Sequence, residues 1–147
     1  MADHVSEQIV AAAKTALTGL ATTGARVFGS RVYPVQDAEL PCLLIDQGNE
    51  ASEISSMGVG RLSERSLELV VVAKVKQNTA YRTVVNTIRK EVEVALAANQ
   101  SAGGAQYIQI RSCELELAGE AEKPVASATM TFDCLYYTVL GAPDVAL

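Results

Sequence analysis

The sequence predicts an α+β fold: a mixed or antiparallel sheet of about four main strands with two helices packed on one face. Three observations carry this. Ser66–Gln77 (SLELVVVAKVKQ) places Leu67, Leu69, Val71, Ala73 and Val75 at alternate positions, the period-2 pattern of a strand with one apolar face. Two further stretches carry helical stripes instead, one before this strand and one after it. The resulting order, α-β-β-β-α-β-β, has no internal repeat and suits helices stacked on one side of a sheet.

Residues 4–18 form the first predicted helix. Val5, Ile9, Ala13 and Leu17 recur every fourth position, and Val10, Ala12 and Ala16 widen the stripe. Asp3 is the expected N-cap, with Glu7 in the first turn against the helix dipole. Gly19 and Gly24 end the helix. Arg26–Tyr33 reads as a short strand with a bend at Gly29, and Pro34–Pro41 as an acidic turn. Cys42–Asp46 (CLLID) is an interior strand, with Pro41 at its start, where a missing N–H is tolerated.

Gly48–Gly60 (GNEASEISSMGVG) follows no period. A dozen such residues predict either a functional loop or a hairpin tip. The central strand comes next. Its second face is polar at both ends but carries Val70 and Val72 in the middle, unlike a strand whose far side simply meets water. Thr79–Ala98 is the second helix, with Asn78 as cap and Tyr81, Val84, Val85, Ile88, Val92, Ala95 and Leu96 in its stripe. Gly103 and Gly104 lie beyond its end.

Tyr107–Leu117 alternates but changes phase: Ile108 and Ile110 share one parity, Cys113, Leu115 and Leu117 the other. A bulge near Arg111–Ser112 reconciles them. Ala128–Leu140 is the last strand, with Ala128, Met130, Phe132, Cys134 and Tyr136 on one side. Thr129, Thr131 and Asp133, then Leu135, Tyr137 and Val139, occupy the other. Residues 1–3 and 141–147 are expected to be loose.

The 147 residues fit one domain, 1–147, long enough to bury roughly 68–70% of the unfolded surface. A net charge of −5 argues against a dedicated nucleic-acid-binding module. It is compatible with a protein that surrounds nucleic acid without gripping it, since like charge limits adhesion. Cys42, Cys113 and Cys134 are odd in number and far apart, which gives neither a disulfide framework nor a zinc knuckle. The N-terminus lacks the basic start of a secretory signal. No apolar run approaches the ~18 residues of a membrane span. A cytoplasmic product is expected.

No catalytic constellation emerges. His4 is the only histidine and reads as surface decoration, which leaves no histidine-based triad or histidine-rich metal site. Gly58-x-Gly60 lacks a third glycine and a following helix, and no phosphate-cradling G-x-x-x-x-G-K-[ST] occurs. Acidic pairs stand at Glu50/Glu53, Glu114/Glu116 and Glu120/Glu122. Glu114 and Glu116 would share a strand face and could bind a divalent cation, but no third ligand is evident. Lys74, Lys76, Arg82 and Arg89 read as solubilising charge or as the lining of a nucleic-acid path.

The element order, the segment TGLATTGARVFGSRVYPVQDAELPCLLID (residues 18–46) and the phrase V-Y-P-x-x-x-A-E-L-P at Val32–Pro41, followed by an apolar strand, resemble the tail terminator proteins of long-tailed bacteriophages. The resemblance spans nearly the whole chain and is similar to the terminator of lambda-like phages. It implies a structural virion protein: a hexameric ring that caps the finished tail tube, ends its polymerisation and offers its other face to the neck for head–tail joining. DNA would pass through the hole without specific recognition. The implied partners are copies of the chain, the tail tube protein and the neck or connector protein. Neither enzyme activity nor a cofactor nor a membrane is implied. The place is the virion tail and neck, with assembly in the bacterial host cytoplasm.

Within that framework Val70, Val72, Leu135, Tyr137 and Val139 are the expected subunit interface. The loop, with Glu50, Glu53, Ile54, Met57 and Val59, is the expected contact with the tube or neck. Lys74, Lys76, Arg82 and Arg89 would be charges of the DNA lumen. Two alternatives remain: a neck or head-completion protein docked on the portal side, and a small cytosolic enzyme using Glu114/Glu116 with a metal.

Overall fold

The computed structural model describes residues 3–29, 41–56, 58, 61–76, 81–118 and 125–147. The elements run α1 (Val5–Leu17), β1 (Val27–Gly29), β2 (Cys42–Ile54), β3 (Leu62–Lys76), α2 (Tyr81–Ala97), a 3-10 turn at Ala102–Gly104, β4 (Tyr107–Ala118) and β5 (Val125–Val139). The five strands form one sheet in the order β1-β2-β3-β5-β4. The β1–β2 pair is parallel and all others are antiparallel. The fold is therefore α+β with a mixed sheet, of five strands where about four were expected.

The odd positions of β3 made the expected core. Leu67, Leu69, Val71, Ala73 and Val75 are buried, as are their partners on β5, Ala126 to Tyr136 at alternate positions. They join Val5, Ile9, Ala13 and Leu17 of α1 and Val85, Ile88, Val92 and Leu96 of α2 in one cluster. Both helices thus cover the same side of the sheet, their stripes spaced at the 3.6-residue period that keeps one face turned inward.

The phase change in β4 is a bulge, as expected. The register with β5 shifts between Ile110 and Ser112, so Ile108, Ile110, Cys113 and Leu115 all lie on the helix side. A second irregularity occurs in β2 between Gln47 and Glu50. Gly48 sits there, and a Cβ on it would come within 2.8 Å of the Glu68 carboxylate.

Several expectations are corrected. The stretch from Gly48 is not a loop as far as Gly60: β2 continues to Ile54, and Glu50–Ile54 pair with Leu67–Ser63 of β3. The result is a hairpin arm, held by cross-strand hydrogen bonds that small polar residues can make without any apolar alternation. The N-cap of α1 is His4, not Asp3, its Nδ1 accepting the Ser6 backbone N–H at 3.1 Å. His4 is thus not mere decoration, since its Nε2 also lies 3.3 Å from the Arg65 guanidinium.

The end of the chain is not loose. The Val5 N–H donates to the Pro143 carbonyl at 2.9 Å, the Leu147 N–H donates to Tyr137 at 3.0 Å, and the Gln8 side chain donates to Asp144 at 2.9 Å. Ala146 packs against the core. Gly103, at φ 65, closes the region from the other side. A Cβ there would stand 2.5 Å from the Ile9 backbone, so only glycine fits. Asn78, the turn at Pro34–Leu40 and the pair Glu120/Glu122 lie outside the described residues, as do Ser30–Tyr33 of the predicted first strand.

Candidate functional site

The face of the sheet turned away from the helices is the part of the molecule that needs explaining. Among the described residues no helix or strand packs on it. Its middle is Val70 and Val72 on β3, with Leu44 and Asp46 of β2 on one side and Thr129 and Thr131 of β5 on the other. Both valines are half-buried, whereas their neighbours Leu69, Val71 and Ala73 are fully buried. Farther along, Leu135, Tyr137 and Val139 sit on the same face, opposite Ser66, Glu64 and Leu62. They too are half-buried.

All five residues expected to meet another subunit therefore share one side of the sheet, but in two patches. Between the patches lies a charged row. The Arg111 guanidinium donates to Glu68 Oε1 at 2.7 Å and to Asp133 Oδ1 at 3.1 Å. Glu68 also accepts the Asn49 backbone N–H at 3.3 Å. The row coincides with both sheet irregularities: Asn49 belongs to that of β2 and Arg111 to that of β4. Bulges bend the strand that carries them and re-aim its side chains, and here the two place a cation and a backbone donor on the central acids. The hydrogen bond from Arg111 holds the Glu68 carboxyl below its ordinary range, with help from the Asn49 N–H. Arg111 is exposed and both acids are partly so, so the row contributes geometry and orientation more than stability.

The rest of the face carries mostly acidic charge, beside Lys74 and Lys76 of β3. Glu114 and Glu116 of β4 face Thr129 and Ser127, Glu53 stands directly opposite Glu64, and Asp46 lies beside Val70. Glu114 and Glu116 do share a face, as expected, yet no group of three or more metal-ligating side chains occurs among the described residues.

The arm residues are divided by the sheet. Glu53 is on the open face. Glu50 and Ile54 are on the helix side, paired with Leu67 and Ser63. Glu50 accepts the hydroxyl proton of Tyr136 in a hydrogen bond and lies 3.7 Å from Arg65. It anchors the root of the arm, and no feature of its local sequence signals that role. The Tyr136 hydroxyl is pushed above its ordinary pKa by burial and by Glu50. Ile54, at 59% exposed, is the arm's free apolar side chain. Met57 and Val59 lie outside the described residues.

The four expected lumen charges are not brought together. Lys74 and Lys76 are on β3 with the parity of the open face, whereas Arg82 and Arg89 ride on α2, across the sheet. Arg89 is half-buried and lies over β4. The cysteines form no disulfide. Burial pushes the Cys134 thiol up to about 12. No described helix is long and apolar enough to cross a membrane.

No protein-family model and no curated protein sequence matches the chain. Its fold does match solved structures. One is a chain of the virion of a native gene transfer agent particle, at 16% identity and a TM-score of 0.56, over 89% of this chain and 97% of that one. That likeness is one of fold.

Proposed function

We propose that this chain is a structural virion protein that assembles as a ring on the end of a phage tail tube, stops its growth and presents a surface for head–tail joining. One observation carries the reading: Val70, Val72, Leu135, Tyr137 and Val139 lie on a single sheet face that no described element covers. Apolar side chains left half-covered in two patches of one face gain by meeting another surface. The fold shared with a virion component supports the same class of work. So does the resemblance of the Val32–Pro41 phrase to tail terminators.

In this reading the ring is a hexamer whose neighbours are the tail tube protein and the neck protein. A contact burying about 800 Å² on each partner would make it stable. The net charge of −5 would let DNA pass through the hole without adhering, by like-charge repulsion.

The test is the pair Val70→Glu and Val72→Glu. Both sites are half-exposed, so the fold survives, while a carboxylate at either position opposes burial of the face. Light scattering should show the oligomer lost in the double variant. An oligomer and a tail length both unchanged would refute the assignment of this face. Electron microscopy of particles lacking the protein then separates two roles. Overlong tails identify tail capping, and unattached tails of normal length identify the neck.

A further inference from the structure

The two ends of the sheet carry a consequence for how copies join. One end is β4, twelve residues long and paired only with β5 among the described residues. It contains no proline, and its described helix-side residues, Ile108, Ile110, Cys113 and Leu115, are all apolar. Strand edges are normally blunted by proline, inward-pointing charge, shortness or a bulge, and of these β4 carries only the bulge at Arg111. Beside it runs a cleft of about 260 Å³ between β4 and the C-terminal half of α2, floored by Leu96, Ile108, Ile110 and Phe132. Leu115, 48% exposed, extends the apolar strip past the end of the cleft. An edge strand beside a helix-lined cleft is the arrangement that accepts an added strand: backbone hydrogen bonds bind it beyond Ile108, whose N–H already donates to Gln100 Oε1 at 3.1 Å, and alternate side chains enter the cleft.

The opposite end of the sheet offers such a strand. β1 covers β2 only at Leu43–Ile45, and among the described residues nothing pairs with the outer side of Asp46–Ile54. Ile54, 59% exposed, points to the helix side, the side on which the cleft lies. The strand directions also fit. β2 runs antiparallel to β3, β3 to β5 and β5 to β4, so β2 and β4 run in opposite directions. Rotation about an axis along the strands preserves direction. The β4 of one copy and the β2 arm of the next therefore meet antiparallel, the more stable of the two pairings.

We propose that the β4 edge with its α2 cleft binds the β2 arm of a second copy, so that one sheet continues from subunit to subunit. The joint rests on the ring reading and deepens it: two different edges meet, which is the heterologous contact a closed ring requires. It acts beside the open-face contact of Val70 and Val72, and the full oligomer requires both. Glu53 on the arm and Glu114 and Glu116 on β4 all lie on the open face, so the joint brings acids together, and salt that screens them should tighten it.

The test uses one variant of each edge, Leu115→Lys and Ile54→Lys. Both sites are exposed, and circular dichroism checks that both variants fold. Each variant alone has one blocked edge in every copy and should stay monomeric by native mass spectrometry. Mixed, they should form a dimer of one copy each and nothing larger, because the intact β4 of the Ile54→Lys chain still takes the intact arm of the Leu115→Lys chain. Variants that assemble like the wild type, or a mixture with no mixed dimer, overturn the joint. If they do so while Val70→Glu/Val72→Glu abolishes assembly, the ring stands without this joint. A wild-type protein that remains monomeric overturns the ring and the joint together.

Discussion

Alanine at Val71 and at Val72 separates the two faces of the central strand in a single measurement. Val71 is completely buried, between Ile45 of β2 and Met130 of β5, themselves at most 1% exposed. Truncation removes two methyl groups, about 1.6 kcal/mol of transfer free energy, and a cavity closed on all sides brings the loss to about 2–3 kcal/mol. Val72 stands between Leu44 and Thr129 on the open face, where solvent fills the space. Its loss should be about 0.5–1 kcal/mol. For a chain of this size the difference corresponds to a melting-temperature gap of roughly 3–8 °C. Urea unfolding of dilute monomer reads it directly, with the slope m unchanged so that midpoints compare cleanly. Equal losses in the monomer would mean that Val72 is covered within one copy, and the reasoning for an interaction face would fail. At concentrations that favour assembly, the Val72→Ala penalty should grow, because burial of the face adds to the stability of the wild type.

Tyr136→Phe removes the hydroxyl that donates to Glu50 and should cost about 1–2 kcal/mol, at the low end for a bond to a charged group because Glu50 can rehydrate. The effect should concentrate in the arm, with faster amide exchange over 50–54 and 62–66 and little change in α2. A uniform change, or none, would show that Glu50 does not anchor the arm. The carboxyl of Glu68 titrates below its ordinary range because Arg111 donates to it. A pKa lowered on folding gives stability that is present above the unfolded value and lost as pH falls through the folded one. Stability should therefore decline on acidification through that window. In Arg111→Ala the Glu68 midpoint, followed by carboxyl NMR shifts, should move back up. A midpoint that stays put would assign the shift to the Asn49 N–H alone.

Much of this molecule is legible residue by residue. The alternation of Leu67 to Val75 and of Ala128 to Tyr136 already separates core from open face, because side chains on a strand alternate sides whatever the strand pairs with. The stripes of α1 and α2 follow from the same kind of local geometry. Even the β4 bulge shows as the shift from Ile110 to Cys113, since a buried face cannot change parity without an extra residue. The placement of Val70, Val72, Leu135, Tyr137 and Val139 on one side was equally visible.

What tertiary structure alone decided are the matters of partnership. Glu50–Ile54 is a strand because Ser63–Leu67 lies beside it, and backbone pairing asks nothing of side-chain pattern. His4 caps a helix, and the chain end is tied to Val5 and Tyr137, through bonds between residues far apart in sequence. Arg111 meets Glu68 and Asp133 only because β3, β5 and β4 are neighbours in that order. Which side chains of β3, β5 and the two helices face inward follows from local periodicity. Which strands are neighbours, and so which edges remain open for another copy, depends on contacts between distant residues, and no local pattern encodes them.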